Sequence, residues 1–352
     1  PSFPAKELER LRVQRLGALL RQADNPQMVA GIVFPRLLYG ATHPYGRPQM
    51  GTPKSIKGLT RDDVVAFHKR LFVPNNAALI VAGDTTPDAI MPVLESALKD
   101  WTPGESIAPN LVAPPKPEGV SVYLVDKPEA AQSVIAVGHV GLARSTPDYF
   151  PVQIMNAILG GSFTSRINMN LREKKGYTYG ARSSFAFRQG PGPFEAGAPV
   201  KTEVTKEAVV ELLRELDDIT GPKGATEEEV RAQKDRVIKA FPARFESIGG
   251  GGGGGRGGPG GLTSALAELV LYNLPDDYFA SYRAKVEAVT KADVDRVART
   301  YLDPKHIAIL IVGDRAKVEP AMRSLPFARV INMLTPQGDP APPKEAIERE
   351  VK

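Results

Sequence analysis

Cysteine is absent from this sequence, which excludes disulfides, thiolate metal sites and a cysteine nucleophile together. The absence leaves the compartment open, because a cysteine-free chain suits either redox environment. Long apolar runs are also missing: none approaches the roughly 18 to 20 residues that a membrane span needs. Histidine is scarce, with His43, His68, His139 and His306 the only four. Neither sign of charge dominates, since 45 Lys and Arg against 40 Asp and Glu leave a net charge of +5. No basic run is long enough for a nucleic-acid footprint. Between residues 201 and 244 the cations alternate with acids, as on a solvated helix face. What remains, 42% hydrophobic and 24% charged residues over 352 positions, is an ordinary globular composition long enough for two cores. The sequence starts at Pro1 without a signal-peptide pattern, which reads as a processed, trimmed or partial chain.

An internal repeat organises the chain. Leu59-Thr60-Arg61-Asp62-Asp63-Val64, then Pro74 and Ala78-Leu79-Ile80-Val81-Ala82-Gly83-Asp84, matches a second stretch in register. That stretch is Val289-Thr290-Lys291-Ala292-Asp293-Val294, then Pro304 and Ala308-Ile309-Leu310-Ile311-Val312-Gly313-Asp314. Each copy reads as a helix with Thr at its N-cap and acids in its first turn. A proline break follows, then an apolar strand ending at a Gly-Asp turn. Between the copies, Pro103, Pro109, Pro114, Pro115 and Pro117 suit an extended, semi-rigid linker. The pattern predicts strands at 120–126 and 133–140, helices at 149–159 and 164–174, and a strand pair at 179–187 and 193–200. Two long helices follow at 205–219 and 226–248, and a further helix at 262–272. Ahead of the first repeat copy lie only helices, at 5–23 and 26–39.

The fold expected is therefore α+β. It has two homologous domains, each a mixed, largely antiparallel sheet with helices on one face, the first domain lacking its front. The expected division is 1–100 for the rear of the first domain, 101–118 for the linker, 119–335 for the second domain and 336–352 for a tail.

The most informative stretch runs Leu159-Gly160-Gly161-Ser162-Phe163-Thr164-Ser165-Arg166-Ile167-Asn168, continuing to Leu171-Arg172-Glu173-Lys174-Lys175-Gly176-Tyr177-Thr178-Tyr179-Gly180. Alone it is a glycine turn, a Thr- or Ser-capped helix, a glycine C-cap and a strand. It resembles the signature of M16 (insulinase/pitrilysin-like) peptidases, in which a helix ending Leu-Arg-Glu-x-x-Gly leads into a Tyr-bearing strand. His43-Pro44-Tyr45-Gly46-Arg47-Pro48 with Gly51-Thr52 resembles that family's His-Pro-Tyr-Gly loop. Pro74-Asn75-Asn76-Ala77 through Asp84 is similar to its Pro-x-Asn-Ala strand.

The resemblance implies that active members carry His-x-x-Glu-His plus a downstream Glu, leaving an open zinc position for water. A second domain or partner subunit supplies an Arg and a Tyr facing that zinc, and these correspond here to Arg172 and Tyr179. Both side chains donate hydrogen bonds to a peptide carbonyl as it becomes an oxyanion. No two of the four histidines are spaced for His-x-x-Glu-His; in the family pattern that motif would fall upstream of Pro1, so its absence alone is equally the mark of a truncated chain. The third ligand sits eight residues before the proline of Asp24-Asn25-Pro26, where this chain has Ala18 between Gly17 and Leu19. Alanine cannot ligate zinc.

The resemblance thus implies a chain that binds no metal or cofactor of its own. It pairs with a zinc-bearing M16 partner, either a separate subunit (a heterodimer) or the missing part of a longer chain, and encloses peptide substrate. The alternatives are an assembly subunit without a proteolytic role and a fragment of an active zinc peptidase. By analogy with bacterial paired members, the periplasm is favoured. His43 reads as a loop residue bonding locally, and His68, His139 and His306 carry no functional expectation. The glycine-rich run 249–261 lacks Gly-Lys-Ser/Thr and reads as a flexible link between helices rather than a phosphate loop. Residues 337–352 read as an arm or disordered end.

Overall fold

The computed structural model describes residues 1–105, 111, 114, 118–249 and 261–342. The elements in order are α1 (Ala5–Asp24), α2 (Pro26–Tyr39), α3 (Pro53–Gly58), α4 (Arg61–Leu71), α5 (Pro87–Leu98), β1 (Ser121–Asp126) and β2 (Gln132–Val140). Then come α6 (Tyr149–Leu159), α7 (Arg166–Asn168), a π-helical turn (Met169–Lys174), β3 (Arg182–Phe185), β4 (Pro193–Lys201), α8 (Thr205–Thr220) and α9 (Glu227–Ala240). The rest are α10 (Gly261–Tyr272), α11 (Tyr278–Ala288), α12 (Lys291–Tyr301), β5 (Ala308–Gly313), α13 (Arg315–Arg323) and β6 (Ile331–Leu334). No helix among the described residues is long and apolar enough to cross a membrane.

The strands form one mixed sheet in the order β3-β4-β2-β5-β1-β6. β3, β4, β2 and β5 pair antiparallel, while β1 runs parallel to both neighbours. All six residues of β5 are buried, so both of its faces need cover. Alternation along the strand sends Ala308, Leu310 and Val312 one way and Ile309 and Ile311 the other. The first set joins Ala136 and Val125 beneath α2, whose Val29, Val33, Phe34 and Leu38 supply a helical stripe. On the other face Ser133 of β2 meets the first residue of α8, Thr205, at 2.8 Å between hydroxyls. Helices therefore pack on both faces, not on one as expected: a fully buried central strand leaves neither side to solvent. The α2 start is set by Asn25, whose side chain accepts from the Gln27 and Met28 amides, with Pro26 behind it.

The described backbone groups into two compact units, each drawn from three stretches. One takes Pro1–Leu16, Thr52–Pro109 and Lys234–Glu287, and the other Gly17–Gly51, Asn110–Gln233 and Ala288–Lys352. The sheet belongs wholly to the second. In the first, Arg12 of α1 donates to the Lys57 and Leu59 carbonyls at 3.1 and 2.7 Å. Phe241 stacks on Tyr282 at 4.2 Å, and Phe245 and Phe279 meet edge-on at 5.3 Å.

The helices expected at 5–23, 26–39, 149–159, 205–219 and 262–272 form within a residue or two of their predicted ends. The helix expected at 226–248 stops at Ala240, because Pro242 has no amide to continue the ladder. Residues 78–83 form no strand, although the matching residues form β5. A strand satisfies its backbone groups through neighbours, and β5 has β1 and β2, whereas no described strand lies beside 78–83. β6 was not expected. Residues after it fold back, the Ala341 amide donating to Met333 O at 2.9 Å, so the described part of the tail covers an edge strand. Of the glycine-rich run, 250–260 lie outside the described residues, as do 106–110, 112–113 and 115–117 of the proline-rich stretch.

Candidate functional site

Arg172 and Tyr179 are held by one tightly pinned stretch. Ser165 starts α7, but its hydroxyl donates to the Ser162 carbonyl at 2.6 Å instead of capping the helix amides. The helix then widens into the π turn that carries Arg172, a local irregularity that recurs at functional sites. The turn closes with the Lys175 amide on Asn170 O at 3.0 Å and the Tyr177 amide on Leu171 O at 2.9 Å. Gly176 takes φ +65 there, a left-handed conformation that a side chain would strain.

Tyr179 was expected on a strand spanning 179–187. It lies instead in the bend before β3. Local bonds displace the ladder: the Gly180 amide goes to Thr178 Oγ1 and the Ala181 amide to Asn168 Oδ1, both at 3.1 Å. The segment is nevertheless fixed at both ends. Lys201 of β4 donates to Tyr177 O at 3.2 Å, and Ser183 donates to Gly160 O at 3.1 Å. Asn156 also holds Ser183, receiving its hydroxyl at 2.8 Å and donating to its carbonyl at 3.2 Å. A Cβ on Gly160 would run into the Ser183 amide, so the glycine turn is what lets α6 close the outer edge of β3.

On this fixed backbone the Tyr179 side chain is 89% exposed. Arg172 lies with its guanidinium 4.7 Å from the Phe163 ring and 3.2 Å from Glu173, partly exposed. Phe163 is itself 59% exposed. Two hydrogen-bond donors and an aromatic ring thus stand on a rigid surface loop. Phe163 and the clamp Asn168, buried and bonded to Phe163 O at 2.6 Å, were not singled out from sequence. Both lie inside the 159–180 stretch, but nothing in a residue string says which asparagine is a clamp.

The described residues do not fit a zinc site. His43 is turned inward to accept from the Tyr45 amide at 3.0 Å, the local bond expected of it. His68 stacks on Phe72 at 4.7 Å, and His306 bonds to the Asp303 carboxylate at 3.0 Å. His139 spends Nδ1 on Val140 O and Nε2 on the Asp303 amide. Position 18, in α1, is alanine, and among the described residues no three His, Asp or Glu side chains gather as a ligand set.

The sequence profile described as "Peptidase M16 inactive domain" matches residues 58–237, a span that contains both Arg172 and Tyr179. An uncharacterized zinc protease of Mycobacterium leprae is 27% identical over 65% of this chain and 51% of its own length. The non-peptidase homolog YmxG of Helicobacter pylori is 24% identical over 70% of this chain and 56% of its own. The chain thus spans about half the length of these curated relatives. Among solved structures, a peptidase M16 inactive domain from Pseudomonas fluorescens superposes with a TM-score of 0.78 at 25% identity, over 89% of this chain and 71% of that one. With a family profile over half its length and the same fold in a solved member, the chain belongs to the M16 peptidase family, in the part the family describes as inactive.

Proposed function

We propose that this chain is the non-catalytic half of an M16-type zinc metallopeptidase. It docks with a zinc-bearing partner, helps enclose an extended peptide and supplies Arg172 and Tyr179 to the active site. The observation that carries this reading is the exposed Tyr179 on a backbone anchored by Gly160, Asn168 and Lys201. A tyrosine this exposed contributes little packing, so such anchoring serves its placement. Arg172 and the phenol are both donors, suited to a scissile carbonyl as charge develops on its oxygen. Zinc and the general base belong to the partner, since position 18 offers this chain no third ligand. The shared pattern of residues 60–84 and 290–314 further supports two homologous domains in the complete assembly.

The test is kcat/KM of the chain reconstituted with a zinc-bearing M16 subunit on a peptide substrate. Tyr179→Phe, which removes only the hydroxyl, is expected to lower turnover roughly a hundred- to a thousandfold while pairing persists. Arg172→Ala is expected to cost turnover and substrate affinity together. Wild-type turnover in both variants would sink the proposal. A second reading, an assembly subunit without proteolysis, is favoured by the non-peptidase name of the Helicobacter pylori relative, and that result would put it first.

A further inference from the structure

The sheet face beside Tyr179 is partly uncovered, and its open strip carries cations. Gly197 pairs with Ala136, which packs beneath α2, so Gly197 looks toward the α2 side. Lys201, four residues along β4, shares that face, and Arg182 joins it as the cross-strand partner of Gly197. α2 lies chiefly over β2 and β5, and at the β3–β4 end Arg182, Ser184, Glu195 and Lys201 are all exposed. Gly197 and Ser184 raise little bulk above the strands, and the half-buried Pro199 lies between Gly197 and Lys201 on the same face. The Lys201 amide holds Tyr177 O, so the chain passes Tyr179 on its way from the Lys201 end of β4 to Arg182. Among the described residues neither Arg182 nor Lys201 forms an ion pair, whereas the nearby Arg172 is met by Glu173. Two unneutralised cations thus flank the backbone that displays Tyr179.

We infer that this strip binds an extended peptide with acidic side chains four residues apart. The inference deepens the peptidase-half reading, on which it rests for the peptide itself. At about 3.3 Å per residue, Gly197 and Lys201 are roughly 13 Å apart along β4. An extended peptide repeats that distance between its residues i and i+4, so two carboxylates meet Arg182 and Lys201 together. Glu195, two residues beyond Gly197 on the same face, extends the pattern with the opposite sign. That carboxylate also disfavours a nucleic-acid strand, whose phosphates would be repelled at the next step.

The experiment is fluorescence anisotropy of the whole chain with a labelled peptide bearing glutamates four residues apart, beside its glutamine and lysine twins. The glutamate peptide is expected to bind roughly threefold to tenfold tighter than the glutamine twin, with the gap closing as salt rises. Arg182→Gln and Lys201→Gln are each expected to remove roughly twofold to threefold of that preference. The double reversal Arg182→Glu with Lys201→Glu is expected to prefer the lysine twin. Both side chains are exposed, and circular dichroism checks that the variants fold. Equal binding of glutamate and glutamine peptides, no measurable binding of either, or a preference that survives the double reversal overturns the inference. So does an oligothymidine probe that binds more tightly than the glutamate peptide. No cleavage is read here. Loss of charge preference beside an intact Tyr179→Phe effect in the reconstituted pair therefore rejects this inference alone, and the converse pattern rejects only the peptidase-half reading.

Discussion

Residues 60–84 and 290–314 share a sequence pattern and half of a structure. Both open with the same capping box: Thr60 and Thr290 accept from the Asp63 and Asp293 amides, and each aspartate returns to its threonine's amide. Both helices run eleven residues and stop ahead of a proline. Beyond that the two diverge. Residues 308–313 become a central strand with no exposed residue, while 78–83 pair with nothing among the described residues. The capped helix forms in both settings because its bonds are internal to it. The strand forms only where neighbours accept its amides and cover its side chains. Local chemistry thus travels with the sequence, and non-local structure waits for its surroundings.

The sharpest break in the comparison comes from matched truncations. Ile309 and Leu79 occupy the same offset in the two copies, the first fully buried and the second 63% exposed. Ile309→Ala is expected to cost about 2 to 5 kcal/mol, while Leu79→Ala should stay within about 0.5 kcal/mol. Urea denaturation of the two variants decides it. Equal losses would mean that 78–83 is as well packed as β5 and that the two copies do not differ in packing.

An intermediate effect is expected at Asp148, which ties α12 to the start of α6. Its carboxylate takes Arg296 at 2.7 and 2.9 Å and the Tyr301 hydroxyl at 2.6 Å. The corresponding residues of the first copy, Ala66 and Leu71, can form no such bonds. The Arg296 hydrogen bonds, aided by Tyr301 and opposed by burial, hold the Asp148 carboxyl below the usual carboxylate range. Folding therefore favours the ionised form. The stability this gives is present above the unfolded pKa of about 3.9 and is lost as pH falls through the lower folded value. Asp148→Asn is expected to cost about 1 to 2 kcal/mol at neutral pH. The variant's stability should then fall less steeply than wild type as the solution is acidified below pH ~4. An unchanged acid limb in thermal melts between neutral pH and pH ~3 would contradict this account.

Much of the second unit was legible because its signals are local or periodic. The helical run at 26–39 matched α2 to the residue, and the alternating run 133–140 announced β2. The boundaries that failed depend on distant partners. Tyr179 left the strand because Asn168, eleven residues back, captures the Ala181 amide. β6 escaped notice because its four residues look like loop until β1 lies beside them. The second helical face was illegible for a related reason: nothing within α2 says which sheet its Phe34 will meet. For the candidate site, Arg172 and Tyr179 were visible through a spacing that repeats a family pattern. Phe163 and Asn168 acquire meaning only from the contacts of the folded loop, and Arg182 and Lys201 only from the register of β3 and β4.

The smallest effect tests the part of the comparison in which the copies agree. Thr290 Oγ1 lies 2.6 Å from Asp293 Oδ2, and Thr60 Oγ1 lies 2.6 Å from Asp63 Oδ2. In both pairs the threonine hydroxyl bond, with the backbone bond second, lowers the aspartate pKa. If helix capping is a local matter, Thr290→Ala and Thr60→Ala should each fray the first turn of the helix in which they sit. They should not report that loss equally. α12 carries the buried Val294 and Val297 into the packed unit, so Thr290→Ala should lower global stability by about 1 kcal/mol. α4 buries no residue completely, so fraying there is expected to be felt less by the rest of the chain. Native-state hydrogen exchange separates the two. Faster exchange confined to the first turn of α4 in Thr60→Ala, beside a global shift in Thr290→Ala, is the expected pair of results. A global shift of equal size in Thr60→Ala would show α4 to be as firmly coupled as α12, and residues 60–84 would then need a packing partner not yet identified.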